Sequence, residues 1–352
     1  MIHRLILALQ IALLPASTCF GFDGLELFSP ISDAANYERK TAVSVDGQSV
    51  LVDGAITSYP PNKTTFDRSL VSILRIIQNY PLSPRIGLRI NLDTRYIIHK
   101  AHEEDEPRRL VEERIWEARP SIDFTFITVG GIELFGGAMY RYIPEYKRET
   151  TSVSFEETSS FGELGYAAPR AGLIKRGGSF VGGAYFQGTG SDERSVHKEA
   201  SDGSVIETSQ ELYSPTEIGI YARFDISGYV ADAEFDAVQA SEGSPKSEDG
   251  TGMYEDYIRV KLGLLIPYQR NELSFHTALT HRTLSYSDNA FMSLETIPLS
   301  SLHLKMIKGS ADRHLFAGII YAYGTDTQSL PEFNQKFVIN SYGAKLGFNF
   351  RF

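Results

Sequence analysis

The sequence predicts an all-β fold: an antiparallel up-and-down transmembrane β-barrel of about twelve strands, preceded by a short N-terminal segment. Three observations predict it. Segments with apolar residues at every second position recur, long and short connections alternate between them, and the chain starts with an export signal. A period of two is typical of strands with one apolar face. The 352 residues include 21 Phe, 19 Tyr and 30 Gly, and the many aromatic residues favour β structure.

The first 21 residues have the pattern of a secretory signal peptide. A short basic start with Arg4 precedes the apolar run LILALQIALL at 5–14, and small residues suited to cleavage follow. The run is too short to cross a bilayer as a helix. Cleavage after Cys19 or after Gly21 fits the pattern. Because Cys19 is the only cysteine, either cleavage predicts a mature chain without disulfides or thiolate zinc sites.

Twelve strands are predicted from residue 86 to the end of the sequence. In a soluble barrel the apolar face of each strand points inward, whereas in a membrane barrel it points to lipid, and periodicity alone does not separate the two. Five segments alternate clearly between apolar and polar residues, at 86–97, 217–226, 229–237, 257–268 and 342–352. Weaker alternation predicts seven more, at 115–126, 132–143, 163–173, 179–188, 272–283, 298–307 and 313–324.

Six long, charged, Ser-rich connections alternate with five short ones. The long connections hold 24 of the 44 acidic residues. A barrel with long loops on the outer side of a membrane and short turns on the periplasmic side has this alternation. The long connections are at 99–114, 144–162, 189–213, 240–255, 284–297 and 325–338. The short ones are at 127–131, 174–178, 226–229, 268–271 and 308–312.

Residues 22–84 do not continue the pattern, so we expect a periplasmic or pore-inserted segment there, before a barrel at 85–352. The stretch 41–58 predicts a small hairpin, with the Asp-Gly pair at 46–47 or the one at 53–54 in its turn.

A helix near 67–80 is predicted from apolar residues at helical spacing, followed by Pro81. Several residues of this stretch are β-branched, which leaves an extra strand as the alternative. The residues at helical spacing are Leu70, Ile73, Leu74 and Ile77.

The last eleven residues, YGAKLGFNFRF, are similar to the C-terminal insertion signal of Gram-negative outer-membrane β-barrels. The last strand of that family ends in an aromatic residue, with apolar residues at every second position before it. The resemblance implies that the barrel assembly insertase reads this strand, that it closes against the first strand, and that the protein lies in the cell outer membrane. The matching positions are Tyr342, Leu346, Phe348, Phe350 and Phe352.

A helix followed by twelve strands also resembles the translocator domains of autotransporters, in which the helix threads the pore. Because only about forty mature residues precede the predicted helix, this layout implies a solitary barrel without a passenger domain.

Charged residues on the polar faces of the strands are the candidates for lining the lumen. As a functional site they set the ion preference of a pore. As a structural feature they form a cross-strand network that fills a narrow barrel. The candidates are Arg89, Asp93, Arg95, Glu133, Arg141, Arg223, Asp225, Asp232, Glu234, Asp236, Arg259, Lys261, Lys305, Lys345 and Arg351.

Catalysis is not predicted, although "LTHRTLSYSDN" at 279–289 resembles part of the site of outer-membrane phospholipases. His281 is followed two residues later by Thr283 rather than by the serine of that family, and Ser285 is too far along the strand to be its nucleophile. We predict no metal, because the acidic connections lack the ligand spacing of a calcium loop, and no cofactor. The expected partners are outer-membrane lipid, lipopolysaccharide and the insertase. Nucleic acid is not among them, since no basic stripe with interleaved aromatics occurs.

The sequence therefore predicts an integral outer-membrane barrel, with a passive channel for small hydrophilic solutes as the first function. The alternative is a solitary autotransporter-like barrel, plugged by its N-terminal helix, with a structural or interaction role. An outer-membrane lipid hydrolase is the third alternative.

Overall fold

The computed structural model describes residues 42–59, 63–104, 110–151, 156–161, 164–188, 190–200, 205–213, 216–239, 253–286, 292–310, 313–329 and 334–352. Within these residues, seventeen strand segments form one antiparallel sheet. They are β1 (Ala42–Tyr59), β2 (Lys63–Pro81), β3 (Ile86–Glu103), β4 (Leu110–Ile127), β5 (Ile132–Thr151), β6 (Glu156–Phe161), β7 (Leu164–Arg176), β8 (Phe180–Gln187), β9 (Ser191–Ala200), β10 (Val205–Tyr213), β11 (Thr216–Ile226), β12 (Tyr229–Gln239), β13 (Met253–Tyr268), β14 (Asn271–Tyr286), β15 (Met292–Gly309), β16 (Arg313–Ser329) and β17 (Asn334–Arg351).

Three pairs of consecutive segments each form one barrel strand: β6 with β7, β8 with β9, and β10 with β11. The described part of the chain therefore forms a barrel of fourteen strands. β5 pairs with β6 along one part of its length and with β7 along the rest. In the same way β9 pairs with β6 and β10, while β8 pairs with β7 and β11. The sheet closes because β1 pairs with β17, from Ser44 opposite Arg351 to Tyr59 opposite Lys336.

The predicted antiparallel β-barrel is confirmed, but the predicted strand count and N-terminal segment are wrong. The twelve strands predicted from residue 86 onward correspond to β3–β17, and β1 and β2 add two more. The stretch 67–80, predicted to be a helix, is part of β2, and the predicted hairpin at 41–58 is the single strand β1. The described barrel therefore begins at Ala42 rather than at 85. The predicted signal peptide at 1–21 lies outside the described residues, as do residues 22–41.

The two ends of the barrel differ, and we name them the turn end and the loop end. The turn end carries the short turns predicted from the sequence. At one of them Ser227 and Gly228 have φ of 53° and 88°, the left-handed pair of a two-residue hairpin turn. At the loop end the strands extend into stretches predicted as long connections, since β3 and β4 cover most of 99–114. The predicted connections are therefore longer than the observed ones. The ends of these strands carry polar residues on both faces, so they lack the alternation that predicts a strand.

The outer surface of the barrel is apolar and its interior is polar along most strands. On β3 the side chains of Ile90, Leu92 and Tyr96 are exposed, while Arg89 and Arg95, at the alternate positions of the strand, are buried. Because neighbouring residues of a strand point to opposite faces, the polar set faces the lumen and the apolar set faces outward. This is the arrangement of a membrane-spanning barrel. Among the described residues no helix is long and apolar enough to cross a membrane.

Two rings of outward aromatic side chains bound the apolar band. On β4, Phe126 lies in the ring near the turn end and Trp116 in the upper ring, ten residues apart. Ten residues of strand span about 33 Å, which at the usual tilt of membrane barrels corresponds to a band about 25 Å tall. The turn-end ring also holds Phe224, Tyr229, Tyr268 and Phe352, and the upper ring Tyr96, Tyr140, Tyr321, Tyr323 and Tyr342.

Candidate functional site in the barrel interior

All fifteen predicted lumen residues lie at inward-facing positions of their strands. Asp225 and Arg351 are exposed near the turn end, and the other thirteen are buried or half-buried. The structure adds inward residues that sequence reasoning missed. Those on β2 were missed because that segment was assigned to a helix, and those on β4 and β7 because alternation there is weak. The added residues are Asp46, Arg75, Asn79, Glu117, Arg119, Asp123, Tyr166, Arg170, Arg176, Tyr185, Glu217 and His303.

A first ionic network connects the inner faces of β2, β3 and β5 near the turn end. The Arg75 Nε donates to Asp93 Oδ1 at 2.9 Å, which joins β2 to β3. The guanidinium of Arg89 donates to Asn79 Oδ1 at 3.3 Å and to Glu133 Oε1 at 3.1 Å. These side chains are all largely buried, so the network joins three parts of the wall from inside.

The same network extends to β4 and β7. Arg170 Nη2 lies 2.9 Å from the fully buried carboxylate of Asp123. Arg119 donates to Glu117 at 2.7 Å, Arg141 donates to the same carboxylate, and Arg141 also donates to the Tyr166 hydroxyl at 2.8 Å. Most charges of this wall thus face a charge of opposite sign, which reduces the net field that a solute meets.

A second ionic network lies on β8, β12 and β13. Arg259 Nη2 and Lys261 Nζ lie 3.0 Å and 3.3 Å from Asp236 Oδ2, and Lys261 is also 3.4 Å from Glu234. The Tyr185 hydroxyl donates to Asp236 at 3.5 Å. The predicted acidic run of β12 therefore pairs with the predicted basic residues of β13, as a cross-strand network requires.

Part of the inner face of β14–β17 is apolar, next to buried polar residues such as Ser301, Asp326 and Lys345. Ala278, Leu299, Ala322 and Ile339, on β14–β17, are buried and form one cluster, against which Ile56 of β1 packs.

A second inward apolar stretch lies on β1–β3, where Val50, Val71 and Ile97 are successive cross-strand partners. On the inner face of β1, Val52 and Gly54 lie between Val50 and Ile56. All of these positions alternate with exposed outward residues such as Tyr321 and Tyr323, so they face inward. We name the two stretches together the apolar wall: Val50, Ile56, Val71, Ile97, Ala278, Ile297, Leu299, Ala322 and Ile339.

A serine and a histidine form a hydrogen-bonded pair on β15, next to the apolar wall. Ser301 Oγ lies 2.7 Å from His303 Nε2, and Lys345 Nζ lies 3.2 Å from His303 Nδ1. Because the Lys345 ammonium can only donate, Nδ1 accepts and Nε2 must carry the proton. His303 then donates to Ser301 and has no acceptor nitrogen left to act as its base.

His281 lies on the outer face of β14, as its alternation predicts. Its Nδ1 is 3.3 Å from Thr296 Oγ1 on β15, and the ring is exposed. In the part of the chain that the structure describes, no three His, Cys, Asp or Glu residues are grouped to hold a metal ion.

Solved structures of outer-membrane proteins share the fold of this chain. The Pseudomonas putida toluene transporter TodX is similar with a TM-score of 0.54 at 8% identity, over 92% of this chain and 92% of that chain. A Pseudomonas aeruginosa FadL homologue is similar with a TM-score of 0.59 at 8% identity, over 88% and 90%. The translocator domain of the autotransporter NalP from Neisseria meningitidis has a TM-score of 0.43 at 11% identity, over 97% and 98%. No family model matches the chain, and no curated protein is similar to it in sequence. The chain thus has the fold of outer-membrane β-barrels.

Proposed function

We propose that the protein is an outer-membrane channel for small molecules with an apolar part. The observation that carries the proposal is the apolar wall, which faces the lumen on β14–β17 and β1–β3. A channel for hydrophilic solutes is lined by polar residues. The buried members of the wall pack against one another, and the half-buried Ile56, Val71 and Ile297 leave apolar surface for a solute. Contact with an apolar solute is worth about 25 cal/mol per Å² of surface covered.

The similar folds of TodX, a toluene transporter, and of the FadL homologue support the same proposal. At 8% identity the likeness is one of fold, so the substrate class rests on the apolar wall of this chain.

A passive channel for hydrophilic solutes, expected from the sequence, is the second candidate. The ionic networks favour it, because they give a polar surface to the inner faces of β4, β5, β12 and β13 and to parts of β2 and β3. Arg89 with Glu133 and Arg259 with Asp236 are nevertheless paired at 3.1 Å and 3.0 Å, so these charges mainly connect strands. The plugged autotransporter-like barrel loses its premise, since the stretch proposed as the plug helix is β2.

The test compares uptake of two labelled probes by cells that express the full chain: toluene, which is apolar, and xylose, which is hydrophilic. The variant Leu299→Asn/Ile339→Asn makes the apolar wall polar, and Ser121→Asn, at an inward polar position of β4, is its control. We expect the double variant to lower toluene uptake about tenfold, the effect of losing about 1.4 kcal/mol of apolar contact. Two results together would favour the hydrophilic channel: the unmodified protein takes up xylose, and the double variant takes up toluene as fast as the unmodified protein does. Uptake of neither probe would contradict both candidates.

A further inference from the structure

The outer face of β2–β4 carries three exposed cations just above the upper aromatic ring. We name Arg68, Lys100 and Arg114 the basic patch. Their side chains are 66%, 46% and 54% exposed. The carboxylates that pair with them, Asp53 and Glu112, are only 28% and 12% exposed. The surface that the patch presents outward is therefore positive, although nearby acidic groups reduce its net charge.

The register places the cations in one band. Arg68 lies directly opposite Lys100, and Lys100 directly opposite Glu112. Like charges that face each other across strands repel. Two carboxylates offset that repulsion: Asp53 contacts Arg68, and Glu112 accepts from Lys100 at 2.8 Å and from Arg114 at 2.6 Å. Three cations thus share two carboxylates, so the patch keeps one positive charge in excess for an external anion.

A groove of about 430 Å³ lies directly below the basic patch, on the lipid-facing side of the barrel. Its floor is made of small residues. The hydroxyls of Ser49 and Ser72 bond to each other at 2.9 Å, and Thr94 donates to the Leu74 carbonyl at 3.3 Å. These hydroxyls already have hydrogen-bond partners in the barrel itself. The groove therefore presents a shallow surface that suits an apolar chain.

Apolar and aromatic side chains flank the groove. Tyr96 and Trp116 stand on one side, and Leu346 and Phe348 on the other. Trp116 is two residues from Arg114 on β4, about 7 Å along the strand. A molecule in the groove thus has its upper end at the level of the basic patch, where lipid headgroups lie.

We propose that this face binds an anionic phospholipid-like molecule, with an acyl chain in the groove and its phosphate on the basic patch. Charge complementarity selects the headgroup, since exposed Lys and Arg at an anionic membrane surface each contribute about a fivefold preference. The inference rests on the membrane placement of the barrel and is independent of the solute that the lumen carries.

Trp116 is the only tryptophan in the chain, so its fluorescence reports on this groove alone. The full chain is reconstituted in phosphatidylcholine vesicles that contain a minor fraction of brominated lipid, which quenches a neighbouring indole. One preparation holds brominated phosphatidic acid and the other brominated phosphatidylcholine. We expect phosphatidic acid to quench Trp116 more strongly at equal bromine content.

The variant Arg68→Gln/Arg114→Gln removes two cations of the patch and should abolish the preference, a change of at least about fivefold in relative affinity. Lys308→Gln/Lys336→Gln removes two exposed outward cations elsewhere and should leave it intact. Circular dichroism confirms that each variant is folded. No preference in the unmodified protein, or a preference that survives in the first variant or is lost in the second, overturns the proposal. If inorganic phosphate at the same concentration removes the preference, the patch binds free phosphate and the lipid proposal is wrong.

Discussion

Arg89 and Glu133 form a buried ion pair across the inside of the barrel, although 44 residues separate them in the sequence. Arg89 Nη2 lies 3.1 Å from Glu133 Oε1, and both side chains are only 7% exposed. Arg176 approaches the second oxygen of the same carboxylate at 3.8 Å. Glu133 thus joins β3, β5 and β7 at the turn end.

Replacing Glu133 should destabilise the barrel strongly. Glu133→Gln removes the carboxylate between two buried or half-buried guanidinium groups, and loss of one partner of a buried pair costs about 3–5 kcal/mol. The free energy of unfolding in urea, measured on protein refolded into vesicles, checks this value.

The matched control is Asp53→Asn, which removes the carboxylate of an exposed pair with Arg68. Exposed pairs contribute less than about 1 kcal/mol. Equal, small losses of unfolding free energy in both variants would show that the buried pair does not stabilise the barrel.

Two adjacent glycines of β5 should differ sharply in their tolerance of alanine. A Cβ on Gly137 would lie 1.9 Å from the carbonyl oxygen of Ile122 and 2.8 Å from the Cα of Asp123, which are backbone atoms. The nearest atom to a Cβ on Gly136 is 4.0 Å away. We expect Gly137→Ala to cost about 1–3 kcal/mol through strain and Gly136→Ala to be neutral or slightly stabilising. Urea unfolding of both variants tests the difference, and similar stabilities would contradict it.

The error at β2 arises because apolar residues lie on both faces of that strand. Alternation of apolar and polar residues identifies a strand, as at 86–97. On β2, Val71, Ile73 and Ile77 point inward while Leu70 and Leu74 point outward, so apolar residues occupy both faces and the alternation disappears. The remaining spacing resembled that of a helix.

The error at β1 has another cause. The Asp46-Gly47 pair is typical of a turn, but Gly47 lies within the strand and under the ring of Phe348, where a Cβ would be 2.5 Å from that ring. A close approach and a turn both require glycine, and one sequence does not distinguish them. The lumen candidates were predictable because charge and alternation place them inward, whereas their ion-pair partners depend on register, which the sequence does not give.

A cation introduced on the outer face should destabilise the barrel in lipid, while its inward neighbour tolerates one. Leu262 is exposed on the outer face of β13 near the middle of the apolar band, and Lys261 next to it faces the lumen. Leu262→Arg should cost about 2–4 kcal/mol in a bilayer. Lys261→Arg keeps the inward charge and should change the unfolding free energy by much less. A small effect of Leu262→Arg in vesicles would contradict the membrane placement of this face.

The loop end should face the cell exterior and the turn end the periplasm. Ser329 ends β16 at the loop end, and Ser310 lies in the turn before β16. We replace each by cysteine in a Cys19→Ser background and treat intact cells with a membrane-impermeant maleimide. Ser329→Cys should be labelled in intact cells, and Ser310→Cys only after the outer membrane is permeabilised. The reason is that β16, which crosses the membrane, separates the two positions. Labelling of Ser310→Cys alone in intact cells would reverse the orientation and move the basic patch to the inner leaflet. Labelling of both without permeabilisation would show that the barrel does not span the membrane at all.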